Sequence, residues 1–466
     1  MSAHVPSQTV SSAVSSAASQ GFIQIPNAER YWLCNAKVPR VLLGEALSVA
    51  EESSECVAVD IAVSNPDIAN VVAASSSRLE DSWQGGGMPA IDVRSGLVWP
   101  CFVDMHTHLD KGHICGRSPN PNGTFAGALE TVQADSAARW QAEDVYRRAE
   151  FGLKCSYAHG TQAIRTHLDA FDKQALVSFE VFRRLRKEWA NRIQLQAVCL
   201  VTLDYFLTPQ GEKLADLVAE SGGVLGGVAF MNDEIVAQID RVFELAIERD
   251  LDLDFHTDES LDPDAIALRL VAEAAIKHQF AGRITCGHCC SLSVQSDEVV
   301  SQTIERVKAA GISIVSLPMC NLYLQDRQVG KTPRYRGVTL LRELATAGVQ
   351  CAIASDNCRD PFFAYGDHDG LEVFTQSVRI GHLDHPIGDW PQAITTTPAQ
   401  MMGLNQKKQK QVGKIQQGSA ADFVVFKARS FNELMARRQS DRVVIRKGKQ
   451  IDTSLPDYAE LDDLMK

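Results

Sequence analysis

The segment Phe102-Val103-Asp104-Met105-His106-Thr107-His108-Leu109-Asp110 ends an apolar run with an HxH pair. Side chains alternate along a strand, so His106 and His108 project the same way and are spaced to grip one ion. Three more segments carry ionisable residues at the end of apolar runs. They are Leu253-Asp254-Phe255-His256-Thr257-Asp258-Glu259, Ile284-Thr285-Cys286-Gly287-His288 and Cys351-Ala352-Ile353-Ala354-Ser355-Asp356-Asn357. Each alone is better explained by a capping Asp or a hydrogen-bonded core His. Four such placements in register on separate strands point instead to a metal centre. Three neutral imidazoles (His106, His108, His256) and one carboxylate (Asp356) form a borderline-soft site, suited to Zn²⁺ or Fe²⁺ rather than Mg²⁺ or Ca²⁺. Such an ion lowers the pKa of bound water from near 16 to roughly 7. Attack on a trigonal carbon then needs a proton carrier and a group that steadies developing charge. Glu259, close to His256, is the candidate proton shuttle, and His288 the candidate for orienting the nucleophile.

Such residues must be brought together by strands ending at one mouth. Apolar strand-length runs at 97–105, 161–166, 194–201, 226–230, 251–255, 283–286, 312–317 and 351–354 alternate with amphipathic helix-length segments at 142–159, 172–190, 233–249, 263–278, 296–310 and 339–348. That pattern predicts an α/β fold, a (β/α)8 TIM-type barrel over residues 99–405. A doubly wound open sheet is the alternative, but no GxGxxG or GxxxxGK[ST] fingerprint follows any strand. Short strand-like pieces at 30–36, 55–63 and 89–93, and again at 421–427 and 441–451, bracket the barrel. Neither group buries a core alone, which predicts one small β-sandwich-like accessory domain built from residues 25–98 and 410–455.

The chain has 466 residues and a formal charge of −12, with 45% hydrophobic and 22% charged residues. This is an ordinary globular composition, and its acidity argues against nucleic acid or an anionic membrane as partner. No apolar run reaches the roughly 18 residues that cross a bilayer. Residues 1–24, rich in Ser and Ala, lack the features of a secretory or transit signal and read as a flexible tail. Twelve Cys in a chain this long read as reduced thiols of a cytoplasmic protein, and Cys286-Gly287-His288-Cys289 finds no second thiol pair to complete a zinc site. The short run Lys407-Lys408-Gln409-Lys410 reads as a solvated connection.

The set of HxH, HxxE, a later His and a final Asp resembles the amidohydrolase superfamily and, within it, the cytosine deaminase group. Arg165-Thr166-His167-Leu168-Asp169, the NLYLQ segment Asn321 to Gln325, PRYRGV from Pro333 to Val338 and DNCRDPF from Asp356 to Phe362 also resemble family segments. The resemblance implies metal ligation by His106, His108, His256 and Asp356, with Glu259 as proton shuttle and His288 acting on the attacking water. It implies one ion, Zn or Fe, since no Lys lies in 224–234 to be the carboxylated ligand of binuclear relatives. Two departures bear on the substrate. The group's pyrimidine-holding Gln aligns with Thr202, and the Asp after the metal-binding Asp is Asn357; Phe362 stands for the usual Trp. The three are the expected substrate-binding positions.

The expected activity is hydrolytic deamination of an aminated N-heterocycle, cytosine or a related aminopyrimidine, with release of ammonia. The alternative is hydrolysis of a cyclic amide or N-alkylamino heterocycle of triazine or pterin type on the same scaffold. A non-catalytic binding protein on a degenerate barrel would lack ligands that are present here. The zinc base-editing deaminases require HxE and PCxxC, and neither occurs. The sequence leaves a homo-oligomer open. Lys111 is equally read as reaching the mouth or as solvated. Asp258 is read as a helix cap, and Asp110 and Asp169 as hydrogen-bond partners of ligand imidazoles.

Overall fold

Strand β1 (Arg30–Pro39) begins a four-stranded sheet with β2 (Cys56–Ser64), β3 (Asp67–Ala73) and β4 (Ala90–Asp92), in the order β3-β2-β1-β4. The chain continues through β5 (Val98–Pro100) and eight strands of the central layer. These are β6 (Phe102–Thr107), β7 (Thr161–Asp169), β8 (Gln194–Leu200), β9 (Leu225–Ala229), β10 (Leu253–Thr257), β11 (Ile284–His288), β12 (Ser313–Ser316) and β13 (Cys351–Ile353). It closes with β14 (Phe423–Val425), β15 (Val443–Arg446) and β16 (Lys449–Gln450). The structure, a computed structural model, describes residues 22–44, 54–83, 87–405 and 410–466. Most of the expected tail (1–21), Gly85, Gly86 and Lys407-Lys408-Gln409 lie outside the described residues.

The eight central strands are parallel and form two ladders, β6-β7-β8 and β9-β10-β11-β12-β13. Isolated parallel bridges join Val198 to Val224 and Thr202 to Val228 at one seam, and Thr107 to Asp356 at the other. The strands are buried along nearly their whole length because helices such as Ala142–His159, Lys173–Trp189 and Ile235–Arg249 follow them, each with an apolar stripe. The architecture is therefore α/β.

One expected strand is divided. The run 97–105 contributes β5 to an antiparallel sheet of order β16-β15-β14-β5, and β6 to the parallel layer. Both halves are fully buried, so hydrophobicity does not mark the break at Cys101. Trp99 fills the junction, with its ring 5.2–6.4 Å from those of Phe102, Phe374, Phe426 and Phe431 in edge arrangements. All twelve cysteines are free, and ten are buried. Among the described residues no helix is long and apolar enough to cross a membrane.

Candidate active site and metal centre

The side chains singled out in the sequence converge at the C-terminal end of the parallel strands. His106 is the penultimate residue of β6, and His108 follows just past its end; His256 lies in β10 and His288 ends β11. Asp356 follows β13, and its N–H donates to the His106 carbonyl at 2.8 Å, which ties the last strand to the HxH segment. His288 (φ 68°) and Asp356 (φ 65°) both take the left-handed backbone region, uncommon for residues with a Cβ and frequent at functional sites. Gly287 leaves room for the His106 ring, since a Cβ there would stand 3.0 Å from its Cε1.

Nε2 of His106 lies 3.2 Å from Nε2 of His256, which lies 3.4 Å from Nε2 of His108. Oδ1 of Asp356 stands 3.5 Å from the first histidine's Nε2 and 3.1 Å from that of His108. Four donors about 2.0–2.1 Å from a tetrahedral ion are separated by roughly 3.3–3.4 Å. The observed spacings match that edge. Among the described residues neither carboxylate oxygen of Asp356 has a hydrogen-bond partner, nor does Nδ1 of the three histidines. Burial, with the neighbouring rings adding to it, and Lys111 too at His108 and His256, holds all three imidazoles well below 6.5, so each keeps a lone pair at neutral pH. These residues fit a divalent transition metal.

Glu259 and His288 flank the cluster. With Asp356 they bring ligand-type atoms within 4.8 Å of one another. Oε1 of Glu259 is 3.3 Å from Nδ1 of His288, and burial followed by the charge of Asp356 pushes the Glu259 carboxyl well above 4.5. A carboxyl raised in this way is suited to carrying a proton. Asn321 offers its amide to both, 3.0 Å from His288 Nδ1 and 3.4 Å from Glu259 Oε1, while Gln325 donates to the Glu259 carbonyl. The sequence marked NLYLQ as a segment but not what Asn321 does; two polar residues on the buried face of the helix Pro318–Leu324 and its end were the only signal. His167 was also unassigned. Its ring lies 3.9 Å from that of His106, and its Nε2 is 3.3 Å from Asp254, which also pairs with Arg165 at 2.7 Å.

A cavity of ≈ 380 Å³ opens over these atoms. Thr202, Asn357 and Phe362 all line it. Asn357 is tied down, with its amide donating to Asp360 at 2.7 Å. Phe362 packs 5.4 Å from Phe125, and the Lys111 ammonium sits 5.4 Å from its ring. Lys111 is buried, not solvated, and pairs with Asp169 at 2.8 Å. The opposite wall is apolar, formed by Phe125, Leu129 and Val132 of a helix (Phe125–Arg139) that sequence periodicity did not pick out, together with Phe230.

Two expectations resolve differently. Asp258 caps a helix, accepting from the N–H groups of Ala267 and Leu268 at 2.8 and 2.9 Å. Asp110 and Asp169 do not hold ligand imidazoles. Asp169 is taken by Lys111, and Asp110 accepts the Asp169 N–H at 2.7 Å, because both carboxylates lie on the Lys111 side of the HxH segment.

Residues 149–452 match the amidohydrolase family. The chain is 49% identical over 449 residues to the pterin deaminase of Rhizobium rhizogenes strain K84, covering 96% of this chain and 99% of that protein. It is 24% identical over 384 residues to N-isopropylammelide isopropyl amidohydrolase of Pseudomonas sp. strain ADP, covering 80% and 90%. The solved structure of 5-methylcytosine deaminase from Klebsiella pneumoniae liganded with 5-fluorocytosine superimposes with a TM-score of 0.77 at 24% identity, covering 92% of this chain and 98% of that one.

Proposed function

Because the chain belongs to the amidohydrolase family, we propose that it is a metal-dependent hydrolytic deaminase whose substrate is a pterin, a 2-amino-4-oxo-pteridine. The observation that carries the reading is the convergence of three imidazole nitrogens and one carboxylate oxygen at 3.1–3.5 Å beneath a cavity that also holds Glu259 and His288. His106, His108, His256 and Asp356 hold one divalent ion, Zn or Fe. That ion, when bound, supplies water acidified to near neutrality.

The protein's own groups do the rest. Water adds across the amino-bearing ring carbon and its neighbouring nitrogen, and ammonia leaves. Glu259 gives its proton to the ring nitrogen, accepts one from the attacking water, passes it to the departing amine and takes the last proton from the new hydroxyl as the carbonyl forms, so it ends protonated as it began. With Asn321 donating to its Nδ1, His288 presents Nε2 to the cavity as a hydrogen-bond donor where charge develops. Phe362 and Phe125 pack against the planar ring.

Pterin stands ahead of cytosine on two grounds. A relative 49% identical over 96% of the chain is named for pterin. Thr202 is shorter than the pyrimidine-holding Gln of the resemblance, and the apolar wall of Phe125, Val132 and Phe230 suits a second fused ring. The amino-bearing carbon of a pterin also has a different ring environment from that of cytosine, which accounts for a changed set of edge contacts. The same reading takes the eight parallel strands as a TIM-type barrel over residues 99–405, and residues 25–98 with 410–455 as a small β-sandwich-like accessory domain.

The test is product analysis with metal-loaded protein. Pterin should yield the 2,4-dioxo-pteridine with one ammonia per turnover. Loss of substrate with no ammonia would move the activity to ring opening, and turnover of cytosine in preference to pterin would overturn the substrate assignment.

A further inference from the structure

We infer that the fold contains a second transition-metal site, formed by His113, Cys358 and His368, which staples the segment after β6 to the segment after β13. The ligand-type atoms of the three residues lie within 4.8 Å of one another, and all three side chains are buried. His113 is 4% exposed and His368 3%, yet among the described residues none of their four ring nitrogens has a hydrogen-bond partner. A buried imidazole ordinarily satisfies at least its N–H, so four unpartnered ring nitrogens in one cluster need an account. Simple packing does not supply it. The two rings do not stack, with centroids 6.0 Å apart at 60°, and Phe151 meets His113 edge-on.

The backbone is shaped for the cluster as well. His113 (φ 63°), Arg359 (φ 52°) and His368 (φ 53°) all take the left-handed conformation. The N–H of His113 donates to the Cys358 carbonyl and that of Cys115 to the Arg359 carbonyl, so the two segments already run paired. Gly152 keeps a helix close, since a Cβ there would stand 3.2 Å from Nε2 of His368. Two imidazoles and one thiolate select Zn²⁺ or its substitute Co²⁺ over Mg²⁺ and Ca²⁺. Binding releases the Cys358 thiol proton to solvent. The ion would hold the stretch that carries Asp356 and Phe362, so its role is positional.

Cobalt loading tests this directly, because a thiolate ligand gives a near-ultraviolet sulfur-to-cobalt charge-transfer band that an imidazole–carboxylate site lacks. Metal-stripped protein should take up two equivalents of Co²⁺ and show the band. His108→Ala should lower the uptake but keep the band; Cys358→Ser should lose both the band and one equivalent. Cys320 is the control, since its thiol lies close to Asn357: Cys320→Ala should keep the band. One equivalent with no band in the unaltered protein overturns the proposal, whether or not Cys358→Ser folds. A band lost in Cys320→Ala also overturns it, by placing the sulfur at the first site.

Discussion

Nδ2 of Asn321 lies 3.0 Å from Nδ1 of His288, which leaves Nε2 as the nitrogen of that ring that faces the cavity. The same amide reaches Glu259, so one side chain sets both the tautomer of His288 and the position of the proton carrier. Asn321→Ala should lower kcat about 10- to 100-fold, with KM and bound metal close to those of the unaltered protein. Steady-state kinetics beside metal analysis checks this, and an unchanged kcat would remove the positioning role.

Glu259 is kept apart from the proposed ligands and given only proton transfer. Glu259→Gln preserves shape and removes the exchangeable acid, so turnover should fall at least about 100-fold while metal content stays the same. Loss of the metal together with activity would make Glu259 a ligand instead.

Thr202 and Asn357 are the positions where the pocket departs from a cytosine site. Thr202→Gln fills space beside the apolar wall and should lower kcat/KM for pterin at least about 10-fold, with less effect on any residual turnover of cytosine. Asn357→Asp sets a carboxylate where the amide now donates to Asp360, and like charges that close oppose each other. It should lower pterin turnover and thermal stability together. Equal kinetics in both variants would mean that these residues do not contact substrate.

Arg117 joins the segment after β6 to the helices behind it, pairing with Asp135 at 2.8 Å and Asp144 at 2.5 Å with its side chain buried. Burial opposes ionisation of these carboxyls, but Arg117, joined by Ser118 and Trp140 at Asp135 and by Arg148 at Asp144, outweighs it and holds both below 3.8. The unfolded chain therefore takes up these protons first as pH falls. The stabilisation is present above the ordinary 3.8 and is lost progressively as pH falls through it towards the lowered folded values. Arg117→Met should cost about 3–5 kcal/mol at pH 7, since it leaves the buried Asp135 without its cation, while Asp144 keeps Arg148. Urea unfolding at pH 7 and pH 3.5 should show the gap between the two proteins narrowing at the lower pH; a constant gap would contradict the ionic origin.

The strands that carry His106, His256 and His288 were legible because each is an apolar run with its polar residue at one end, and that pattern survives without tertiary context. The division of 97–105 was not, since β5 and β6 are equally buried and hydrophobicity cannot say which sheet a residue joins. Asp110 and Asp169 were read as imidazole partners from proximity in sequence, but Lys111 competes for the same space and carries a full charge. The helix Phe125–Arg139 escaped notice because its apolar residues form no strong stripe, although it builds an apolar wall of the cavity. His113 and His368 carry no local signal at all. They are 255 positions apart in number and meet only because β6 and β13 are neighbours.

The most direct test is to strip the protein of metal and follow ammonia release from pterin as Zn²⁺ or Fe²⁺ is returned. Turnover should be absent in the stripped protein and rise in proportion to ion bound, and His256→Ala should respond to neither ion. Full ammonia release by protein shown to hold no metal would contradict the account at its centre.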